Sequence, residues 1–286
     1  MRTSLSDCHV HVDNIRICNP VVAKHFKKKP GDVKWKGGTI EQHTRHIEKD
    51  NIEQLYAIYE NPESVIALQN ASPHCDIRGM YFVRDVKNVD KRHLEDLHKQ
   101  GLLDAIKVHP VVDYYELTSG NLTKVLAVAA KFNLPILYHS DDRVEFMELT
   151  APHLQELLVQ ENPNIRFIIG HGGAYVNPRM VGSHPAVKSY WNGDIAPYPR
   201  THLIDCALRL ASNYDNAYYD LSIASNRIKA SLIADFLNKH SDASEKVLVG
   251  TDFPIHFASA QSQLNSLEKA GLRKALLERI AKNRLD

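Results

Sequence analysis

The stretch Asp7-Cys8-His9-Val10-His11 concentrates more reactive side chains than any other run near the start of the chain. Side chains alternate along an extended strand, so Asp7, His9 and His11 are expected on one face and Cys8, Val10 and Val12 on the other. Two imidazoles side by side are suited to binding a metal or moving a proton. Taken alone, such a pair also fits two hydrogen-bonded histidines near a surface, and the rest of the chain has to decide. Three further β-branched runs end in the same manner: Ile136-Leu137-Tyr138-His139, Phe167-Ile168-Ile169-Gly170-His171 and Val247-Leu248-Val249-Gly250-Thr251-Asp252. Each carries its ionisable residue at the C-terminal tip. Imidazole and carboxylate groups cost several kcal/mol to bury without partners, and a shared cation would give all of them one. Nitrogen and oxygen ligands without cysteine suit Zn²⁺, Fe²⁺, Mn²⁺ or Co²⁺, with an open position left for water or substrate.

Further groups surround these tips. In Ala105-Ile106-Lys107-Val108-His109-Pro110, alternation turns Ile106 and Val108 outward and places Lys107 and His109 inside. Lys107 is then a cation for a substrate carboxylate, a bridge between two metals if carboxylated, or the partner of an internal acid such as Asp7 or Asp220. His109 is expected to be hydrogen-bonded near the rim. Lys24, Lys27, Lys28, Lys29, Lys34 and Lys36 follow the first strand, and Tyr175, Arg179, Lys188, Trp191 and Arg200 follow the sixth. Basic and aromatic side chains of this kind clamp carboxylates or stack on planar ligands, and they also occur as ordinary solvated surface.

What positions these residues is a regular alternation of short strands with amphipathic helices. Strands are expected at Leu5 to Val12, Gln54 to Tyr59, Arg78 to Arg84, Ala105 to His109, Pro135 to His139, Arg166 to His171, Ala217 to Leu221 and Lys246 to Asp252. Helices between them are signalled by the Thr39/Gln42 capping box, by Asn61-Pro62, by Leu94/Leu97 before Gly101, by Leu122 to Ala129, and by Thr150 ahead of Leu154. Ser64 to Gln69 has strand propensity, but a strand there leaves too little chain for a parallel crossover, so it is expected to be helical. Eight such units predict a (β/α)8 TIM barrel formed by a single domain over residues 1–286, with its active site at the C-terminal ends of the strands. Asn14 to Gly38 and Gly173 to Pro199 exceed the usual loop length of about two to six residues and would lie over the mouth.

Lys plus Arg number 35 against 34 for Asp plus Glu, a net charge of +1. No global field therefore recruits nucleic acid or an anionic membrane, and a small-molecule acidic substrate is the expected partner. The absence of an 18-residue apolar run and of an apolar stretch before Asp7 predicts a soluble, cytoplasmic protein without a membrane partner. A homodimer is compatible with this composition. Cys8, Cys18, Cys75 and Cys206 show no C-x-x-C pair and are expected to be buried thiols.

The Asp7/His9/His11 opening, the PILYHS stretch ending the fifth strand, IIGHGGA on the sixth and GTDFP on the eighth together resemble the amidohydrolase superfamily. Within it the chain is similar to the amidohydrolase-2 branch, which includes hydrolases, lactonases and aminocarboxymuconate-semialdehyde-type decarboxylases. The resemblance spans nearly the whole chain. It implies that His9, His11, His139 and Asp252 bind one divalent metal, zinc first among the candidates, and that His171 is catalytic beside it. Asp252 would also be catalytic, taking a proton from metal-activated water and returning it to the leaving group. The resemblance implies a hydrolase acting on an amide, ester or lactone, and Lys107, Tyr175 and Arg179 are, by residue type and placement, the expected substrate-binding groups. Non-oxidative decarboxylation is the alternative, favoured by HGGA and by the basic residues near the mouth. A TatD-type deoxyribonuclease fits less well, because Lys107 stands where that family would offer an acid. Lys282-Asn283-Arg284 matches the family's Asn-Ala only in part, so no role is transferred to Asn283.

Overall fold

The computed structural model describes residues 4–25, 27–140, 149–172, 203–256 and 258–285. Eight parallel strands form the barrel: β1 (Leu5–His11), β2 (Ile52–Tyr59), β3 (Asp76–Val83), β4 (Ala105–Val108), β5 (Ile136–His139), β6 (Phe167–Gly170), β7 (Ala217–Asp220) and β8 (Val247–Leu248). They pair in chain order. Beyond its short paired segment, the β8 chain closes the barrel against β1, with Cys8 N donating to Val249 O (2.9 Å), Asp252 N to His9 O (2.7 Å) and His11 N to Phe253 O (2.8 Å). The fold is thus the expected (β/α)8 barrel. Ser64 to Gln69 is helical within Pro62–Ala71, capped by the Asn61 side chain.

Two apolar layers hold the barrel. Cys8, Tyr56, Ile58, Met80, Phe82, Leu137, Ile168 and Leu248 fill the interior, where the Tyr56 hydroxyl donates to Leu285 O (2.8 Å). Alternate residues such as Val10, Leu55, Ala57, Ile106, Val108 and Ile169 pack outward against the helices. The Thr39/Gln42 capping box is present, whereas the helix expected after Thr150 begins at Pro152 without a side-chain cap.

The structure corrects the reading of β1 at one point. Asp7 pairs with Leu55 and Val10 with Ala57, so β1 spends three steps where β2 spends two. A bulge of this kind breaks the alternation. Asp7 consequently faces outward, to His46 on the helix Ile40–Asp50, and Cys8 joins the interior. His9 and His11 still converge. Lys107 therefore cannot be paired with Asp7 inside the barrel. Cys18 is a second correction, being exposed while the other three thiols are buried.

The long connection after β1 carries a short antiparallel hairpin, Ile15–Ile17 with Val33–Trp35, and a helix Pro20–His25. Its six lysines are exposed, and none forms an ion pair among the described residues. Gly173 to Pro199, and with it Tyr175 and Arg179, lies outside the described residues.

Candidate metal and active site

The tips of β1 and β8 bring three buried ligand atoms together. His9 Nε2 lies 3.2 Å and His11 Nε2 3.1 Å from Asp252 Oδ1. His9, His11 and Asp252 form a group whose ligand atoms all lie within 4.8 Å of one another. The bulge in β1 turns His9 inward while its own carbonyl accepts Asp252 N, so one local distortion aligns the donors from both strands. Asp252 and His171 both have left-handed backbone, with φ of 56° and 60°. Such conformations are uncommon for residues other than glycine and gather at functional sites.

The carboxylate of Asp220, at the tip of β7, stands behind His9. Its Oδ2 accepts from His9 Nδ1 (2.8 Å), from the Ser222 hydroxyl (2.7 Å) and from His171 N (3.0 Å). His9 thus spends its Nδ1 hydrogen on Asp220 and turns Nε2 toward Asp252 Oδ1 and the Lys107 ammonium, 3.3 Å away. Two imidazole nitrogens and a carboxylate oxygen gathered this closely form a nitrogen–oxygen ligand set. This donor set fits a divalent cation. His9, His171 and Asp220 form a second group of suitable residues, but the His9 and His171 hydrogens that Asp220 accepts point into it.

His139 ends β5 and lies outside both groups. Its Nδ1 is 3.0 Å from His171 Nε2, and its ring stacks on His109 with centroids 3.8 Å apart. His109, as expected, is a rim residue, its Nδ1 accepting from Val112 N (3.2 Å), and Trp35 of the hairpin also stacks with it (6.2 Å, 21°). The connection after β1 does therefore reach the mouth.

Burial dominates the electrostatics. It pushes the Lys107 ammonium down to about 8, with the charges of Asp252 and Asp220 opposing it. It lowers His11 to about 4 against the hydrogen bond His11 donates to Asp252, and holds His171 well below the usual histidine range, helped by His139 and His9. Burial alone would raise both carboxyls. For Asp252 it is outweighed by the attraction of His9 and the hydrogen bond His11 donates, and for Asp220 by the attraction of His9 and the hydrogen bond it donates, so both stay below the usual carboxylate range.

Several partners of the site were not singled out from the sequence, where Asp220 stood only as a possible acid for Lys107. Asp220 ends its strand run as His139 and Asp252 end theirs, and the same tip rule would have found it. Ser222 joins His171 Nδ1 (2.9 Å) to Asp220, and the buried Lys229 ammonium holds the carbonyls of Ser222 (2.8 Å) and His171. His256 places Nε2 3.5 Å from Asp252 Oδ2 at the exposed rim. Asn283 is elsewhere, its amide donating to Ser244 O and Val247 O (2.7 Å each) before β8.

The amidohydrolase family model matches residues 6–282. The chain belongs to the amidohydrolase family. Members of this family are metal-dependent enzymes, hydrolases or decarboxylases. No curated protein sequence matches the chain. Among solved structures it is similar to a probable 2-pyrone-4,6-dicarboxylic acid hydrolase from Acinetobacter baumannii with citric acid bound (TM-score 0.63, 14% identity, 98% of this chain and 96% of that one). It is also similar to 5-carboxyvanillate decarboxylase from Sphingomonas paucimobilis (TM-score 0.58, 11% identity, 98% and 97%). A third is 5-carboxyvanillate decarboxylase from Novosphingobium aromaticivorans, complexed with manganese and 4-hydroxy-3-methoxy-5-nitrobenzoic acid (TM-score 0.54, 10% identity, 98% and 94%). At these identities the likeness is one of fold. Among the described residues of this amidohydrolase, no helix is long and apolar enough to cross a membrane.

Proposed function

We propose that the chain is a metal-dependent hydrolase cleaving an amide, ester or lactone in a small substrate that carries a carboxylate. The observation that carries this reading is the convergence of His9 Nε2, His11 Nε2 and Asp252 Oδ1 beside the buried Lys107 ammonium. In this reading His9, His11 and Asp252, with His139 as the fourth residue, hold one divalent cation, zinc suiting the donors and manganese, iron and cobalt fitting the same set. When bound, such an ion supplies Lewis acidity, polarising a substrate carbonyl and acidifying water.

The protein's own groups do the rest. Asp252, kept ionised, accepts a proton at Oδ2, the oxygen nearer His256. His171 is the acid–base residue beside the set, exchanging its Nε2 contact with His139 for one with the substrate oxygen. Lys107 meets the substrate carboxylate, and Tyr175 and Arg179 complete the substrate contacts. A dicarboxylic acid in the name of the Acinetobacter protein, and citric acid bound to it, support an acidic substrate. Decarboxylation is the second reading, supported by the two carboxyvanillate decarboxylases of the same fold.

The test is elemental analysis of protein purified without chelator or affinity metal, followed by a screen of carboxylated lactones, amides and aromatic acids for acid release and for CO2. About one metal per chain and acid release without CO2 is the expected result. CO2 release replaces the hydrolase with the decarboxylase, and full metal occupancy in both His11→Ala and Asp252→Ala overturns the ligand assignment.

A further inference from the structure

We infer that Asp220 is a positioning residue that sets the ring tautomers of three histidines, His9 directly and His171 and then His139 through Ser222, and so decides which imidazole nitrogens can bind a cation. The inference rests, for its functional part, on the proposed metal site.

The hydrogens are ordered outward from a group that has none to give. An ionised carboxylate only accepts, and Asp220, wholly buried, accepts on both oxygens. Oδ2 takes His9 Nδ1, the Ser222 hydroxyl and His171 N, and Oδ1 takes Ser222 N (2.8 Å) and, weakly, Cys8 Sγ (3.9 Å). His9 therefore carries its hydrogen on Nδ1, which leaves Nε2 as the lone-pair nitrogen facing Asp252. Ser222 has a single hydroxyl hydrogen. Turning it toward His171 Nδ1 would leave two oxygens 2.7 Å apart with no hydrogen between them, so it points at Asp220, and His171 Nδ1 is the donor to Ser222 Oγ (2.9 Å). A neutral His171 then has a bare Nε2. That atom lies 3.0 Å from His139 Nδ1, which must donate to it, and the lone pair of His139 is left on Nε2. One carboxylate thus orders three rings in sequence.

The backbone leaves room for this carboxylate. A Cβ on Gly250, beside it in the β8 chain, would come within 2.0 Å of Asp220 Oδ1, so any side chain there would displace the acceptor. Partners of ligand histidines that fix tautomer and orientation typically contribute ten- to a hundredfold to metal affinity.

Two readouts test the inference on full-length protein. Long-range ¹H–¹⁵N correlation spectra of the metal-free protein report ring tautomers, with peaks assigned from variants lacking His9, His139 or His171. Competition with a chromophoric chelator reports Zn²⁺ affinity. Wild type should show hydrogen on Nδ1 of His9, His171 and His139. Ser222→Ala should leave His9 unchanged, release the tautomers of His171 and His139, and weaken Zn²⁺ binding by up to about tenfold, with Ser222→Thr restoring both. Asp220→Asn should disturb all three rings and weaken Zn²⁺ binding by about ten- to a hundredfold. Hydrogen on Nε2 of His139 in wild type, or unchanged rings in Ser222→Ala, overturns the inference, and unchanged Zn²⁺ affinity in Asp220→Asn overturns its functional part. If Asp220→Asn does not fold, the Ser222 pair decides. Wild type that shows the expected tautomers but binds no Zn²⁺ refutes the metal site and leaves the tautomer assignment standing.

Discussion

Removing the Asp7 carboxylate should unfold the barrel seam before it touches the chemistry. Asp7 is wholly buried and accepts four hydrogen bonds: His9 N (3.2 Å) and Thr251 N (3.0 Å) on Oδ1, Thr251 Oγ1 (2.6 Å) and His46 Nε2 (3.0 Å) on Oδ2. It joins the first strand, the last strand and the helix Ile40–Asp50. In Asp7→Ala the Thr251 hydroxyl can turn elsewhere, but the two backbone N–H groups cannot. Each unsatisfied buried donor costs about 1–3 kcal/mol, so this pair and the stranded His46 ring together bring the loss to about 4 kcal/mol. At roughly 2 °C per kcal/mol for a chain of this size, the melting temperature should fall by about 8 °C. Asp7→Asn should lose about half as much, because its amide oxygen can serve the two N–H groups while its nitrogen faces Thr251 and His46. Denaturant and thermal unfolding in excess chelator measure this without a contribution from bound metal. Asp7→Ala within 1 kcal/mol of wild type, but with metal lost, would mean that Asp7 faces the site as simple alternation had it, and would refute the bulge argument.

His171→Asn should retain most of its metal while kcat falls about 10²-fold or more, the scale of a positioned acid or base; parallel loss of metal and activity in metal analysis and steady-state kinetics would make His171 a ligand. Lys107→Met should lower kcat/KM for carboxylates by about ten- to a hundredfold, since a charge-assisted contact contributes about 1.5–3 kcal/mol, with little change for neutral esters; equal losses would make Lys107 structural or metal-bridging. His43 is wholly buried, and burial, followed by the charge of His46, lowers it to about 4 against a backbone hydrogen bond at Gly38. Between pH 6.5 and 4 the unfolded chain then binds a proton that the folded chain refuses, so stability should fall by about 3 kcal/mol as pH drops through that window. His43→Leu should remove this part of the slope in urea titrations at pH 4 to 7, and an unchanged slope would refute it.

The barrel was legible because short β-branched or aromatic runs alternate with amphipathic helices along the chain, and several of those helices carry their own start signals. Thr39/Gln42 and Asn61-Pro62 act through local hydrogen bonds that need no tertiary context. The hairpin of Ile15–Ile17 and Val33–Trp35 was not legible, since three-residue strands are too short to show alternation and their pairing spans a connection rich in lysine. Its consequence, Trp35 stacked on His109, depends on that pairing.

The same distinction runs through the site. His9, His11, His139, His171 and Asp252 stand out because strand tips are where the fold exposes polar groups to its mouth. Asp7 misled, because its direction depends on the β8 chain: Thr251 and Asp252 bond to Asp7 and to the His9 carbonyl, and β1 must bulge between Asp7 and Val10 to meet them. That register is a property of barrel closure, and no window on β1 alone contains it. Asp220, read from the sequence only as an acid for Lys107, was missed as a partner of the histidines for a different reason. A search for ligands asks which lone pairs point at a cation, whereas Asp220 points its lone pairs at the ligands themselves, and its effect lies in where their hydrogens are left. A tip residue with five donors around it is accordingly better sought by asking where the site's hydrogens must go than by asking what could bind metal.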